Sequence, residues 1–181
     1  HSISEEAEQS GEQMTEILEA INKFDNVIKI FIMPNSDAGS LKIREKLSEI
    51  GSNNLDNNRF DNNIIFYNLS RIYYINLLRI SSVMIGNSSS GIMEAPTFKL
   101  PVVNIGRRQI GRFQAKNVIN IEEYDRNLIY NGIKKAYTNT FKETLENIKN
   151  PYGTTFVTDK IIDIIENISI SPNLLNKNIT Y

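Results

Sequence analysis

The segment Met84–Arg112, MIGNSSSGIMEAPTFKLPVVNIGRRQIGR, constrains this chain more than any other stretch of it. A short apolar run, Val83–Ile85, leads into a turn of small residues, Gly86-Asn87-Ser88-Ser89-Ser90-Gly91. A helical stretch led by Glu94 follows. A second apolar run, Val102–Ile105, then ends in Gly106 and a basic turn, Arg107-Arg108-Gln109, with Arg112 beyond. Strand, small-residue turn, helix, strand, basic turn is a layout suited to holding an anion. Unpaired N–H groups at a helix start carry the positive end of the helix dipole, and side chains no larger than Ser let a phosphate reach them. The segment reads as a nucleotide-diphosphate pocket. On the residues alone, an ordinary polar turn with a helix N-cap fits the serines about as well.

The rest of the chain alternates in the same way. Glu5–Phe24 is acidic at its start and carries Met14, Ile17, Leu18 and Ile21 at helical spacing. Val27–Met33 is an apolar, β-branched run and so a buried strand. Pro34-Asn35-Ser36-Asp37 is a turn, and Leu41–Ile50 a second helix closed by Gly51. Ser52–Asn63 is Asn-rich and polar, a loop; Ile64–Tyr67 is a strand; Ser70 caps a helix through Ile80. After the central segment come strand Val118–Ile121 and helices over Arg126–Tyr137, Thr140–Ile148 and Thr158–Ile168. Continuous apolar strands alternating with helices predict an α/β fold, a parallel sheet with helices on both faces. Residues 1–168 form the domain, and 169–181 a frayed tail.

Composition removes several classes of function. A net charge of −1 over 181 residues gives no electrostatic reason to expect nucleic acid or an anionic membrane. The absence of Cys excludes disulfides, thiolate metal sites and thiol nucleophiles. A single His leaves little scope for a metal centre. No apolar run approaches the roughly 20 residues of a membrane span. The expectation is a cytoplasmic protein without metal or cofactor.

The pieces Gly86–Pro96, GNSSSGIMEAP, and Val102–Arg112, VVNIGRRQIGR, with support from Met33–Ser40, resemble the hydrolysing UDP-N-acetylglucosamine 2-epimerases. Non-hydrolysing relatives carry a Ser-Gly-Gly turn and lack the RQxGR element, so the resemblance is to the hydrolysing side. It runs from His1 to about Ile168. It implies a Rossmann-like domain, the C-terminal half of a two-domain enzyme of the GT-B type and homo-oligomeric at full length. Such an enzyme eliminates UDP from UDP-N-acetylglucosamine, or a close di-amino sugar analogue, and adds water to the glycal. The acids and bases of that chemistry belong to the N-terminal domain, so this domain alone is expected to be inactive. A GT-B glycosyltransferase, a non-hydrolysing epimerase and a non-catalytic nucleotide-binding module are the competing readings.

The resemblance also assigns residues. Ser88, Ser89, Ser90 and Gly91 would hold the diphosphate, Gly91 by permitting close approach. Glu94 would accept the ribose hydroxyls; its plain alternative is a capping box, at N3 with Gly91 as N-cap. Arg108 would neutralise phosphate charge, with Arg107 solvent-facing. Asn35, at a strand end, is a nucleotide contact or a plain Asx turn. The Tyr67–Ser70 turn is a candidate uracil site, and Tyr73 and Tyr74 are packing residues. His1-Ser2-Ile3-Ser4 is in register with the family's His-Pro-Val-Thr element, which puts His1 beside the UDP phosphates and makes it the only candidate catalytic group here. That register places His1 at the carboxyl end of a first strand that precedes this sequence. Gly153-Thr154-Thr155 departs from the family's Gly-Asp-Gly.

Overall fold

The five strands among the described residues are all parallel, and they form two sheets. The computed structural model describes residues 1–52, 62–153 and 157–170. Strands β1 (Lys29–Ile32) and β2 (Asn63–Phe66) pair with each other; β3 (Met84–Gly86), β4 (Val102–Ile105) and β5 (Val118–Ile121) form a second sheet with β4 in the middle. No ladder joins β1 to β3. β4 is paired on both sides and buried along its whole length, and its one polar residue, Asn104, donates from Nδ2 to Asn120 Oδ1 on β5 at 2.8 Å.

Helices α1 (Ser10–Asn22), preceded by a 3-10 turn over Ser4–Gln9, and α5 (Arg126–Tyr137) cover one face of the larger sheet. Ala20 and Ile21 of α1 and Ile129, Ile133 and Ala136 of α5 pack on Val103, Ile105 and Ile119. Helix α3 (Arg71–Ile80) covers the opposite face, where Leu78 meets Ala95, Leu100 and Val102. Helix α2 (Ser40–Ser52) closes a third cluster, Leu18, Met33 and Leu47 with Phe31 and Ile65. The other face of β1 and β2 is open: Ile30, Ile32 and Ile64 are 37%, 38% and 42% exposed. Asp125 caps α5 by accepting from the N–H groups of Asn127 and Leu128, each at 2.9 Å. The Arg126 guanidinium pins that helix start to Glu16 and Glu19 of α1.

Several boundaries differ from the sequence expectation. Gly51 lies inside α2 instead of ending it. Ser70 sits at the N-cap of α3, but its hydroxyl makes no capping bond. The helix expected over Thr140–Ile148 is the short α6 (Asn139–Glu143), continued only by turns. The expected loop at 53–61 and the tail beyond 170 lie outside the described residues. The chain divides into two compact units, His1–Pro151 and Tyr152–Tyr181, so α7 (Val157–Asn167) belongs to the second. No helix among the described residues is long and apolar enough to cross a membrane.

Candidate functional site

The carboxyl ends of β1, β3 and β4 are tied together by side chains, at the end of the sheet where open α/β folds bind ligands. Asn35, three residues past β1, presents its Oδ1 at 3.2 Å from His1 Nδ1, while its Nδ2 donates to Asp37 at 2.7 Å. Asn87, the residue after β3, accepts from the His1 backbone nitrogen at 2.8 Å and donates from Nδ2 to the His1 carbonyl at 2.6 Å. From the loop after β4, Arg108 Nη1 and Gln109 Nε2 donate to the Asn87 carbonyl at 3.2 and 2.7 Å. His1 thus bridges the ends of β1 and β3, and Arg108 joins them from β4.

The serine turn follows Asn87 directly. Its carbonyls close the turn: Ser88 accepts from the Gly91 N–H at 3.1 Å, and Ser89 from those of Ile92 and Met93. Ser88 Oγ accepts from the Ser90 N–H at 3.3 Å. The N–H groups of Ser88 and Ser89 and the Ser89 hydroxyl have no partner among the described residues. Helix α4 (Ser90–Met93) is a single turn, followed by a 3-10 turn over Ala95–Phe98. Its dipole is correspondingly small, which leaves Arg108 as the main positive charge.

Glu94 does not lead this helix; it closes it, with Ser89 at the N-cap, and no side-chain cap bond forms. The capping-box alternative is thereby removed. The carboxylate is held at both oxygens, by Arg71 Nη1 at 2.8 Å and by the Ser90 hydroxyl at 2.5 Å. Tyr74, its phenol pKa raised chiefly by burial, donates in turn to Ser90 Oγ at 2.7 Å. The Ser90 proton is therefore directed at Glu94. Gly91 also has a packing reason to be glycine: an added Cβ would lie 2.8 Å from Val102 Cγ1 on β4.

The two arginines are distinguished by their surroundings. Arg107 has Glu122 at 3.9 Å, whereas Arg108 has no carboxylate within ion-pair distance among the described residues. Tyr67 is 77% exposed at the end of β2. Tyr74 packs as expected, but Tyr73 is 69% exposed and does not. Sequence reasoning passed over Asn87, Gln109 and Arg71, and gave Tyr74 a packing role without its hydrogen bond to Ser90. Asn87 carries the same signal that singled out Asn35, an amide just past a strand end. A shallow apolar hollow of about 360 Å³ lies elsewhere, lined by Phe24, Val27, Lys134, Tyr137 and Thr138. Among the described residues no group of three His, Asp or Glu side chains could hold a metal.

The family model for UDP-N-acetylglucosamine 2-epimerase matches residues 1–166. The chain belongs to this family. Its relatives include a GDP/UDP-N,N'-diacetylbacillosamine 2-epimerase (hydrolyzing) from Campylobacter jejuni, 33% identical over 98% of this chain and 44% of that protein. A UDP-N,N'-diacetylbacillosamine 2-epimerase (hydrolyzing) from Legionella pneumophila is 34% identical over 84% of this chain and 37% of that one. This family member thus spans less than half the length of those relatives. Among solved structures, the Methanocaldococcus jannaschii UDP-GlcNAc 2-epimerase, crystallised with UDP-GlcNAc and UDP, superposes with a TM-score of 0.64 at 14% identity. That match covers 88% of this chain and 41% of the other, and its likeness is one of fold, the Rossmann-like half of a GT-B enzyme.

Proposed function

We propose that residues 1–168 are the UDP-binding half of a hydrolysing UDP-sugar 2-epimerase, inactive until paired with the N-terminal half. The observation that carries this reading is the convergence of His1, Asn35, the Ser88–Ser90 turn and an unneutralised Arg108 at one end of the sheet. Two relatives named as hydrolysing enzymes, together with the RQxGR element, favour the hydrolysing type. The sugar is N-acetylglucosamine or its di-N-acetylated analogue, the latter favoured by the names of those relatives.

In this reading Arg108, the free Ser88 and Ser89 N–H groups and the Ser89 hydroxyl receive the diphosphate. His1 and Asn35 border it, and Gly91 keeps the turn tight against β4. When the anomeric C–O bond breaks, both of its electrons leave with UDP, and donors already in place lower the cost of that charge. The C2 proton departs to the N-terminal half, and water adds to the resulting glycal. Glu94, steadied by Arg71 and Ser90, faces the ribose. Each carboxylate oxygen has two acceptor directions, so both oxygens can still take a hydroxyl.

UDP is expected to raise the melting temperature of the chain, following RT ln(1 + [L]/Kd), about 2.7 kcal/mol at a hundredfold excess over Kd. Uridine should do much less. Equal shifts in a thermal titration with the two would overturn the phosphate assignment. Glu94→Gln is expected to weaken UDP binding by roughly tenfold, as an acceptor and a charge are lost. Its ligand-free melting temperature should barely move, because the Arg71 partner is 78% exposed and such pairs contribute little. Calorimetry with UDP and its 2′,3′-dideoxy analogue checks the ribose role: a wild type that binds both equally would reject it.

A further inference from the structure

We propose that Asn87 is the positioning residue of this site, fixing His1 against the serine turn and Arg108. The inference rests on the UDP-binding reading and adds to it a residue that would not touch the ligand. Asn87 is only 6% exposed, yet all its polar groups but the backbone N–H have named partners. Its amide meets the His1 backbone on both sides, accepting from the nitrogen and donating to the carbonyl, as a neighbouring strand would. A side chain thus substitutes for the ladder that β1 and β3 do not share. With both backbone groups held, the His1 ring can reach Asn35 across the gap.

The main chain of Asn87 is fixed as firmly. Gln109 is wholly buried and donates to the Asn87 carbonyl, although its own Oε1 goes unmatched among the described residues. Arg108 donates to the same carbonyl with Nη1. Tyr124 lies within hydrogen-bonding reach of the Asn87 side chain, and burial pushes its phenol up to about 12, so it remains protonated there. The next residue along is Ser88, the start of the turn. One residue therefore sets three things: where the His1 ring stands, where the first free turn N–H points, and how the Arg108 guanidinium is held. The consequence is a coupled set in which loss of Asn87 is felt through His1.

The test uses Asn87→Ala, His1→Ala and the double variant, with UDP as probe. Histidine labelled with nitrogen-15 supplies a second readout, since His1 is the only histidine of the chain. Asn87→Ala is expected to weaken UDP binding by roughly tenfold or more, the effect of losing two or three hydrogen bonds that order the site. In the His1→Ala background the same change should weaken it by less than about threefold, because the route through His1 is already gone. Ligand-free Asn87→Ala should also show the imidazole signals of a mobile ring. Asn87→Ser, which cannot reach both His1 backbone groups, serves if the Ala variant does not fold. Equal losses in both backgrounds, or imidazole signals identical to wild type, would overturn the proposal. A wild type that ignores UDP overturns the functional reading instead, and the ligand-free imidazole signals still judge Asn87 by themselves.

Discussion

Arg108→Ala is expected to weaken UDP binding by roughly 1.5–3 kcal/mol, about 10- to 150-fold, the range for charge-assisted hydrogen bonds to an anion. The size follows from the lack of competition. Arg108 has no carboxylate partner among the described residues, and α4 is one turn long, so little else at the site can balance phosphate charge. Arg107→Ala should cost less than about threefold, since its nearest acid, Glu122, sits at the edge of ion-pair distance and both groups are exposed. Both variants should melt close to wild type, because Gln109 still holds the Asn87 carbonyl when Arg108 is truncated. Isothermal calorimetry ranks the two, and the opposite order would transfer the phosphate contact to Arg107.

Gly106→Ala is expected to destabilise the domain by roughly 2–5 kcal/mol. Two costs add. Gly106 has φ +78°, where a side chain costs about 1–2 kcal/mol. Its Cβ would also fall 2.3 Å from the Tyr124 hydroxyl and 2.8 Å from Cζ, and overpacking of that kind costs about 1–3 kcal/mol. Tyr124 would have to leave Asn87, so UDP affinity should fall as well. Adding Tyr124→Ala removes the clash but not the backbone cost. Denaturant melts of the double variant should therefore show a penalty smaller than the sum of the two single changes. A strictly additive result would mean that Tyr124 is not what Gly106 makes room for.

The strands were readable because they are mostly β-branched; Val102–Ile105 and Val118–Ile121, each interrupted by one Asn, match residue for residue. Helix ends were less so. Gly51 reads as a stop, yet α2 runs through it, because a glycine ends a helix only where the chain then turns left-handed. Arg108 was singled out by the resemblance alone, because Arg107 shares its place in the turn after β4. The role of Glu94 was not legible, for it depends on Arg71 and Tyr74, which lie on another helix and reach it only once α3 packs. Gly91 shows the same limit. The sequence suggests closeness to a ligand, whereas the fold supplies Val102 as the nearer neighbour.

The division of the strands into two sheets has a consequence in time as well as in shape. Asn35 rides on the β1–β2 piece, whereas Ser88–Ser90 and Arg108 ride on β3–β4–β5. A two-stranded ladder has little stability of its own, so its amides should exchange with solvent through openings that leave β4 closed. A diphosphate gripped from both pieces would oppose those openings. Occupancy would then be recorded as slowed amide exchange at Ile30–Ile32, residues that the nucleotide never touches.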